Sequence, residues 1–175
     1  TLPSEVIDGS IGHSRVVAAL AYALAGRLGL SEIDRLEVMR AGFLADIGKE
    51  VIPLYILNRR GGLLASELDI IKQHPDEACR IMRKLGYDDP AMLRAVRHSH
   101  ERYDGTGYPD GLKGDAIPVG ARILRLAGAY LGSSGNATAL QQRCHQFGVA
   151  QRTHPKRFHP FLRPLAARQH KPGLG

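Results

Sequence analysis

The chain has 175 residues, with 24 Lys and Arg against 17 Asp and Glu, a formal net charge of +7, and two cysteines. This length predicts one domain with room for a hydrophobic core. No apolar run approaches the roughly 18 residues of a membrane span, and the first residues lack the basic start and apolar stretch of a signal peptide. The cysteines have no metal-binding spacing and are too few for a disulfide framework, which favours the reducing cytoplasm. Because the chain begins with Thr rather than Met, we expect a piece of a longer protein or a trimmed product.

The positive charge is confined to the C-terminal part of the chain. Residues 1–131 hold 17 basic and 17 acidic residues, whereas residues 132–175 hold seven basic residues and no acidic one. The body is therefore neutral, and the basic pI does not indicate a nucleic-acid-binding domain. Residues 132–175 are rich in Pro, His, Gln and Arg and show little periodicity, so we expect a poorly structured basic tail.

Apolar residues recur at helical spacing through residues 13–127, and no strand pattern is present, so the predicted fold class is all-α. The first helix is expected from residue 13 until Gly29, and the second opens at Ser31 and runs to about Leu44. Further helices are predicted after Ser66, after Pro75, from Pro90 to about Ser99, and after Pro118.

The stretch from His98 to Pro109, which reads HSHERYDGTGYP, has a composition that core packing does not explain. An amphipathic helix needs apolar residues every three or four positions, and two glycines and a proline forbid a regular helix through its second half. We therefore predict a helix that ends near Ser99 or His100 and delivers its last side chains into a site. A stiff loop then follows, which carries Glu101, Asp104 and Tyr108.

Four residues at predicted helix ends are candidate metal ligands, namely His13, Asp46, His74 and His100. Taken singly, these residues have structural alternatives. Asp46 can be a capped or ion-paired carboxylate, and His13 and His74 can be helix caps or surface residues. Taken together they favour a metal pocket, because imidazole is a common ligand of Zn, Fe and Ni and side chains from several helices can converge.

Three segments together resemble the HD-GYP domain family, which belongs to the HD superfamily of metal-dependent phosphohydrolases. They read ADIGKEVIPLYIL from Ala45, IKQHPDEACRIM from Ile71, and HSHERYDGTGYPDGLKGDAIPVGARILRLA from His98. The similarity covers about residues 12–127 and implies an HD-type helical bundle over residues 1–131. It also implies two or three metal ions, often iron or manganese, and hydrolysis of the bacterial messenger cyclic di-GMP to pGpG or GMP.

The resemblance further implies roles for individual residues. It makes His13, Asp46, His74 and His100 metal ligands, with Asp46 bridging two ions, and it makes Lys49 a catalytic lysine near the phosphate. Its substrate and loop positions correspond here to Glu101, Asp104, Gly105, Gly107, Tyr108, Pro109 and Arg122. Two ions held in this way activate water and neutralise the charge on the phosphoryl group.

Three ligand positions of the family are occupied here by other residues. Ala45 stands in place of the His of the His-Asp pair, Ser99 in place of the first His of His-His-Glu, and Gly128 in place of a late Asp. His98 is one residue early and would point about 100° away on a helix, so it is not expected to replace the ligand lost at Ser99. The family pattern ends after Gly128, which fits either a divergent extension or a disrupted reading frame.

These observations leave two functions open. The first is a cyclic di-GMP phosphodiesterase whose catalysis is impaired by the ligand replacements. The second is an inactive domain that senses the nucleotide or docks a partner, such as a diguanylate cyclase domain, through the Gly-Tyr-Pro loop.

Overall fold

The computed structural model describes residues 4–59 and 61–131. Over these residues the chain forms seven α-helices, two short 3₁₀ helices and no strand, which confirms the predicted all-α class. The α-helices are α1 (Ser4–Arg27), α2 (Glu32–Leu44), α3 (Leu54–Leu57), α4 (Ala65–Lys72), α5 (His74–Lys84), α6 (Pro90–Arg97) and α7 (Val119–Leu131). The 3₁₀ helices span Ile47–Val51 and Gly114–Ala116. The predicted tail, residues 132–175, lies outside the described residues.

Capping residues explain where the first helices end and begin. Helix α1 starts earlier than predicted, at Ser4, and Gly29 follows it with a φ of 75° that favours glycine. The Ser31 hydroxyl accepts a hydrogen bond from the Asp34 N–H at 3.2 Å, as the sequence predicted for the start of α2.

Two predicted helix boundaries differ from those observed. Helix α4 is capped from Leu64 rather than Ser66, because the Glu67 carboxylate accepts the Leu64 N–H at 2.8 Å and satisfies that donor. Helix α6 ends at Arg97, and His98 is its C-cap. The chain therefore leaves the helix before it reaches the histidine-rich stretch.

The core lies between α1, α2, α5, α6 and α7, and small side chains allow these helices to approach closely. Ala21, Ala41, Ala78 and Ala127 are fully buried. Larger side chains such as that of Met82 fill the space between them. This close packing brings the ends of α2, α5 and α6 to the same region of the bundle.

The first 3₁₀ helix packs directly against the beginning of α5. A Cβ on Gly48 would lie 1.9 Å from the His74 carbonyl oxygen and 2.5 Å from the Ala78 nitrogen, so only glycine fits. This contact places Asp46 and Lys49, on either side of Gly48, next to His74.

None of the helices in the described part of the chain combines the length and hydrophobicity that a membrane crossing requires.

Candidate metal centre and its cleft

Three side chains from different helix ends meet in one group. Asp46 follows α2, His74 begins α5, and His100 lies just beyond α6. One ligating atom from each lies within 4.8 Å of the others. The two Nε2 atoms of the histidines are 3.0 Å apart, and Asp46 Oδ1 is 4.0 Å from His74 Nε2. The structure thus brings together three of the four predicted ligands.

His13 lies beside this group but does not join it. Its Nε2 atom is 3.8 Å from Asp46 Oδ2, and its side chain is exposed. The same Asp46 oxygen accepts the ammonium of Lys49 at 2.9 Å. The two oxygens of Asp46 therefore face different neighbours, Oδ1 toward His74 and Oδ2 toward Lys49 and His13, which is the orientation that a bridging carboxylate requires.

The side chains of Asp46, His74 and His100 have the protonation states that metal ligands need. His74 Nδ1 lies 2.7 Å from the Ile71 carbonyl oxygen, which can only accept, so Nδ1 carries the proton and Nε2 presents a lone pair. Burial lowers the pKa of His74, and burial together with the nearby His74 and Arg125 lowers the pKa of His100 to about 3. Burial acts to raise the pKa of Asp46, but Lys49, together with His74 and His100, outweighs burial and holds that pKa below its usual range. At neutral pH the group therefore offers two neutral imidazoles and a carboxylate.

These residues fit one divalent ion. Two imidazole nitrogens that occupy neighbouring positions ~2.1 Å from an ion lie ~3 Å apart, and the observed separation is 3.0 Å. Imidazole and carboxylate donors together suit ions such as Fe²⁺, Mn²⁺ and Zn²⁺. Asp46, His74 and His100 would hold such an ion.

A cleft of about 360 Å³ opens beside this group and contains all three replaced ligand positions. Ala45 and Gly128 in its wall carry no donor, and the Ser99 hydroxyl donates to the Val96 carbonyl oxygen at 2.8 Å. Among the residues that the structure describes, this part of the cleft therefore lacks the donors that a second ion needs. Among the described side chains, Asp46, His74 and His100 are the group whose donors fit one ion.

The Gly-Tyr-Pro turn covers the His100 side of the group. The Tyr108 ring stacks on the His100 ring with centroids 5.0 Å apart and an interplanar angle of 8°. Burial raises the pKa of Tyr108 to about 12, so its phenol stays protonated. The Tyr108–Pro109 peptide bond is cis. A Cβ on Gly107 would lie 2.3 Å from the Arg102 nitrogen, so this glycine lets the turn lie against the backbone before it.

Asp110 anchors the far end of this turn. Its backbone N–H donates to Glu101 Oε1 at 2.8 Å, and Glu101 is 2% exposed. Its carboxylate accepts both terminal nitrogens of Arg97 and lies 3.0 Å from His98 Nε2. Arg97 and His98 hold the pKa of Asp110 at about 2. His98 therefore serves the turn and does not replace the ligand lost at Ser99, as expected.

The remaining predicted site residues divide between the turn and a different part of the molecule. Asp104 accepts hydrogen bonds from Arg102 and Thr106, which hold its pKa well below the usual range, and Gly105 follows it with a φ of 83°.

Arg122, which the resemblance counts among the substrate and loop positions, lies outside the cleft beside Asp46. Arg122 lies in the first turn of α7, where Asp115 Oδ1 is 3.1 Å from its guanidinium. It lines a second cavity of about 690 Å³ between α2, α6 and the start of α7. Its position in the first turn of α7 places this arginine beside Asp115 rather than in the cleft.

Sequence reasoning missed two arginines of the cleft wall, Arg102 and Arg125. A helical signal was available for the second, because residues three apart share one face of a helix. Gly128 occupies a ligand position of the family, and Arg125 lies three residues before it. Both residues are therefore on the face of α7 that lines the cleft.

Comparison with known proteins supports this reading of the fold. The family model described as "HD domain" matches residues 4–139. The cyclic di-GMP phosphodiesterase response regulator RpfG of Xanthomonas campestris pv. campestris is 39% identical in an alignment of length 121 residues that covers 63% of this chain and 30% of that protein. The 3'3'-cGAMP-specific phosphodiesterase 3 of Vibrio cholerae is 36% identical over 119 residues, which are 68% of this chain and 26% of that protein. The chain thus spans less than a third of these relatives' length.

Solved structures share the architecture at low sequence identity. Bd1817, described as an HDG"Y"P protein from Bdellovibrio bacteriovorus, matches with a TM-score of 0.67 and 20% identity over 90% of this chain and 52% of that one. The V. cholerae phosphodiesterase V-cGAP3 matches with a TM-score of 0.61 and 20% identity over 90% of this chain and 44% of that one. With the family match and the Gly-Tyr-Pro turn, these likenesses confirm the resemblance stated from the motifs: this chain belongs to the HD domain family.

Proposed function

We propose that this domain binds cyclic di-GMP in the cleft beside Asp46 and hydrolyses it slowly, as an impaired phosphodiesterase of the HD-GYP type. The observation that carries this proposal is the group of Asp46, His74 and His100, whose ligating atoms lie within 4.8 Å of one another next to the cleft. The relatives named as cyclic di-GMP phosphodiesterases support the choice of substrate.

The site residues have distinct roles in this proposal. Asp46, His74 and His100 would hold an Fe²⁺ or Mn²⁺ ion, and the exposed His13 imidazole would extend the ligand set on the Oδ2 side of Asp46. Such an ion would supply Lewis-acid chemistry that lowers the pKa of a water and offsets charge on the phosphoryl group. Lys49, 2.9 Å from Asp46, contributes a positive charge at the position where a substrate phosphate enters.

The loop residues keep His100 in place. Tyr108 stacks on the imidazole and fixes the plane of the ring. Glu101 and Asp110 tie the turn to the bundle through a partly buried hydrogen bond. The turn therefore acts as a positioning element for a ligand.

A second candidate function is nucleotide binding without turnover, and one observation favours it. Ala45, Ser99 and Gly128 all line the cleft, so the missing donors are concentrated at the place where a second ion would bind. A domain of this kind would signal either by binding the nucleotide in the cleft or by docking a partner protein. In the docking form, the Gly-Tyr-Pro turn, with exposed Thr106 and Asp110 at its surface, would contact a diguanylate cyclase domain. Either form would act in the cytoplasm, where cyclic di-GMP is found.

Metal analysis and a hydrolysis assay on the purified chain test the proposal. About one ion per chain after loading with Mn²⁺, slow release of pGpG from cyclic di-GMP, and loss of both in Asp46→Asn are the expected results. Parallel assays with 3'3'-cGAMP decide the base preference, because relatives named for each nucleotide match this chain. Nucleotide binding with no hydrolysis under any metal would select the second candidate. Absence of both metal and nucleotide binding would refute both.

A further inference from the structure

One arginine side chain joins three segments of the chain through ion pairs. The guanidinium of Arg97, the last residue of α6, donates through Nε to Asp76 Oδ1 at 2.6 Å. Both of its terminal nitrogens donate to the carboxylate of Asp110, one of them at 2.9 Å. Asp76 lies in the first turn of α5, and Asp110 directly follows the Gly-Tyr-Pro sequence. Arg97 therefore links α5, α6 and the turn.

The same three segments also meet through their aromatic rings. Asp76, Arg97 and Asp110 each lie two or three positions from one ring of a second contact group, which consists of His74, His100 and Tyr108. The ring centroids of this second group are between 4.7 Å and 6.4 Å apart. The ion pairs and the ring contacts thus constrain the same three pieces of backbone.

The ion pairs are suited to fixing geometry rather than to adding stability. The side chains of Arg97, Asp76 and Asp110 are 33%, 53% and 39% exposed, and exposed ion pairs contribute little to the free energy of unfolding. A guanidinium is a rigid planar fork, so its bonds to two carboxylates restrict both their distance and their direction. The segments held in this way carry the two histidine Nε2 atoms, which are 3.0 Å apart.

An ordinary surface ion pair on the same helix provides the comparison. Arg80 Nε donates to Glu77 Oε2 at 2.7 Å, and both residues belong to α5. That contact spans three residues within one helix, whereas Arg97 reaches partners 21 and 13 residues away. Arg80 therefore serves as a matched control for the loss of an exposed arginine pair.

We propose that Arg97 is a positioning residue for the histidine ligands, because it holds α5 and the Gly-Tyr-Pro turn at the separation that keeps Tyr108 stacked on His100 and His100 beside His74. The inference rests on the proposed function for the role of these histidines in binding metal. Groups that orient metal ligands typically contribute 10- to 100-fold in affinity. Arg97 does not line the cleft, so it acts through the ligands.

Titration calorimetry with Mn²⁺ and proton NMR of the metal-free full chain test this proposal. In Arg97→Gln we expect the Mn²⁺ affinity to fall about 10-fold or more. The His100 ring resonances should also shift as its stack with Tyr108 loosens. Loss of a positive charge alone would strengthen cation binding, so the sign of the change separates positioning from electrostatics. Arg97→Lys should recover only part of the affinity, because an ammonium lacks the planar fork.

The control and a second variant keep the test decisive. Arg80→Ala should bind Mn²⁺ like the native chain, and an equal loss in Arg80→Ala and Arg97→Gln would overturn the proposal. Should Arg97→Gln lose its helical circular dichroism, Asp76→Asn removes the exposed partner and should give the same losses. Unchanged Mn²⁺ affinity or unchanged His100 resonances in a folded Arg97→Gln would also overturn it. A native chain that binds no Mn²⁺ would refute the proposed function, while the metal-free resonances would still decide whether Arg97 positions His100.

Discussion

Restoring the three replaced ligands should restore a second metal position. The variant carries Ala45→His, Ser99→His and Gly128→Asp, all of which change residues in the wall of one cleft. Loss of a supporting partner of a metal ligand costs ~10–100-fold in affinity, so a direct ligand contributes at least ~10-fold. Three such ligands should strengthen binding of the second ion by at least ~1,000-fold, or ~4 kcal/mol.

The cost of these substitutions to the fold is expected to be small. Ser99→His removes a hydrogen bond to the Val96 carbonyl oxygen, worth about 1 kcal/mol. A Cβ at Gly128 meets nothing within 4 Å, and replacing a helical glycine recovers a few tenths to about 1 kcal/mol of helix propensity. The two effects nearly offset each other, but Ser99 is 6% exposed and a larger side chain at a packed position costs about 1–3 kcal/mol, so circular dichroism and urea unfolding of the triple variant check its fold before metal is added.

Metal titration and cyclic di-GMP hydrolysis measure the outcome. The triple variant should bind about two Mn²⁺ ions per chain and hydrolyse the nucleotide faster than the native chain, and adding Asp46→Asn should abolish both gains. A folded triple variant that binds no more metal than the native chain would show that the cleft is not a latent second metal position. Two bound ions without faster hydrolysis would refute the claim that ligand loss limits catalysis.

Three further predictions follow from contacts of the site. In EDTA the free energy of unfolding should fall as the pH drops below 6.5, because the unfolded chain takes up protons that the buried His74 and His100 resist. The loss should reach up to about 1.4 kcal/mol per pH unit for each histidine, and for His100 it should continue toward its folded-state pKa of about 3. Urea unfolding at several pH values measures this loss, and the same pH dependence in the variant with both histidines changed to Gln would contradict the assignment. Gly48→Ala should destabilise the fold by about 2–4 kcal/mol, since its Cβ would lie 1.9 Å from a carbonyl oxygen. Gly62→Ala, with nothing within 4 Å, is the control and should shift unfolding by less than about 0.5 kcal/mol; equal shifts would disprove the close contact. Asp110→Ala should loosen the Gly-Tyr-Pro turn by removing a half-exposed ion pair worth about 1 kcal/mol. Faster amide exchange confined to residues 105–113 is expected, and unchanged exchange there would contradict the anchoring role.

Residue type and spacing along the chain were sufficient to predict the helical class and most of the ligand group. Apolar periodicity is a local property, and it predicted the α-helices of the bundle core. Asp46, His74 and His100 could be predicted because each follows or begins a helix and matches a motif position. The replacements at Ala45 and Ser99 were equally visible, because the ability to bind metal belongs to the side chain itself.

The tertiary structure alone decided which of these groups meet and in what state. The rotation and packing of α1 and α7 decide two positions. His13 lies beside the three-residue group rather than in it, and Arg122 pairs with Asp115. The neutral state of His100 depends on burial by residues distant in sequence. The entry of Arg125 into the cleft follows from the face that α7 turns toward Asp46. Packing between helices distant in sequence sets these distances and burials, and no local pattern encodes them. Which charged and potential ligand side chains share the cleft was therefore decided only by the assembled helices.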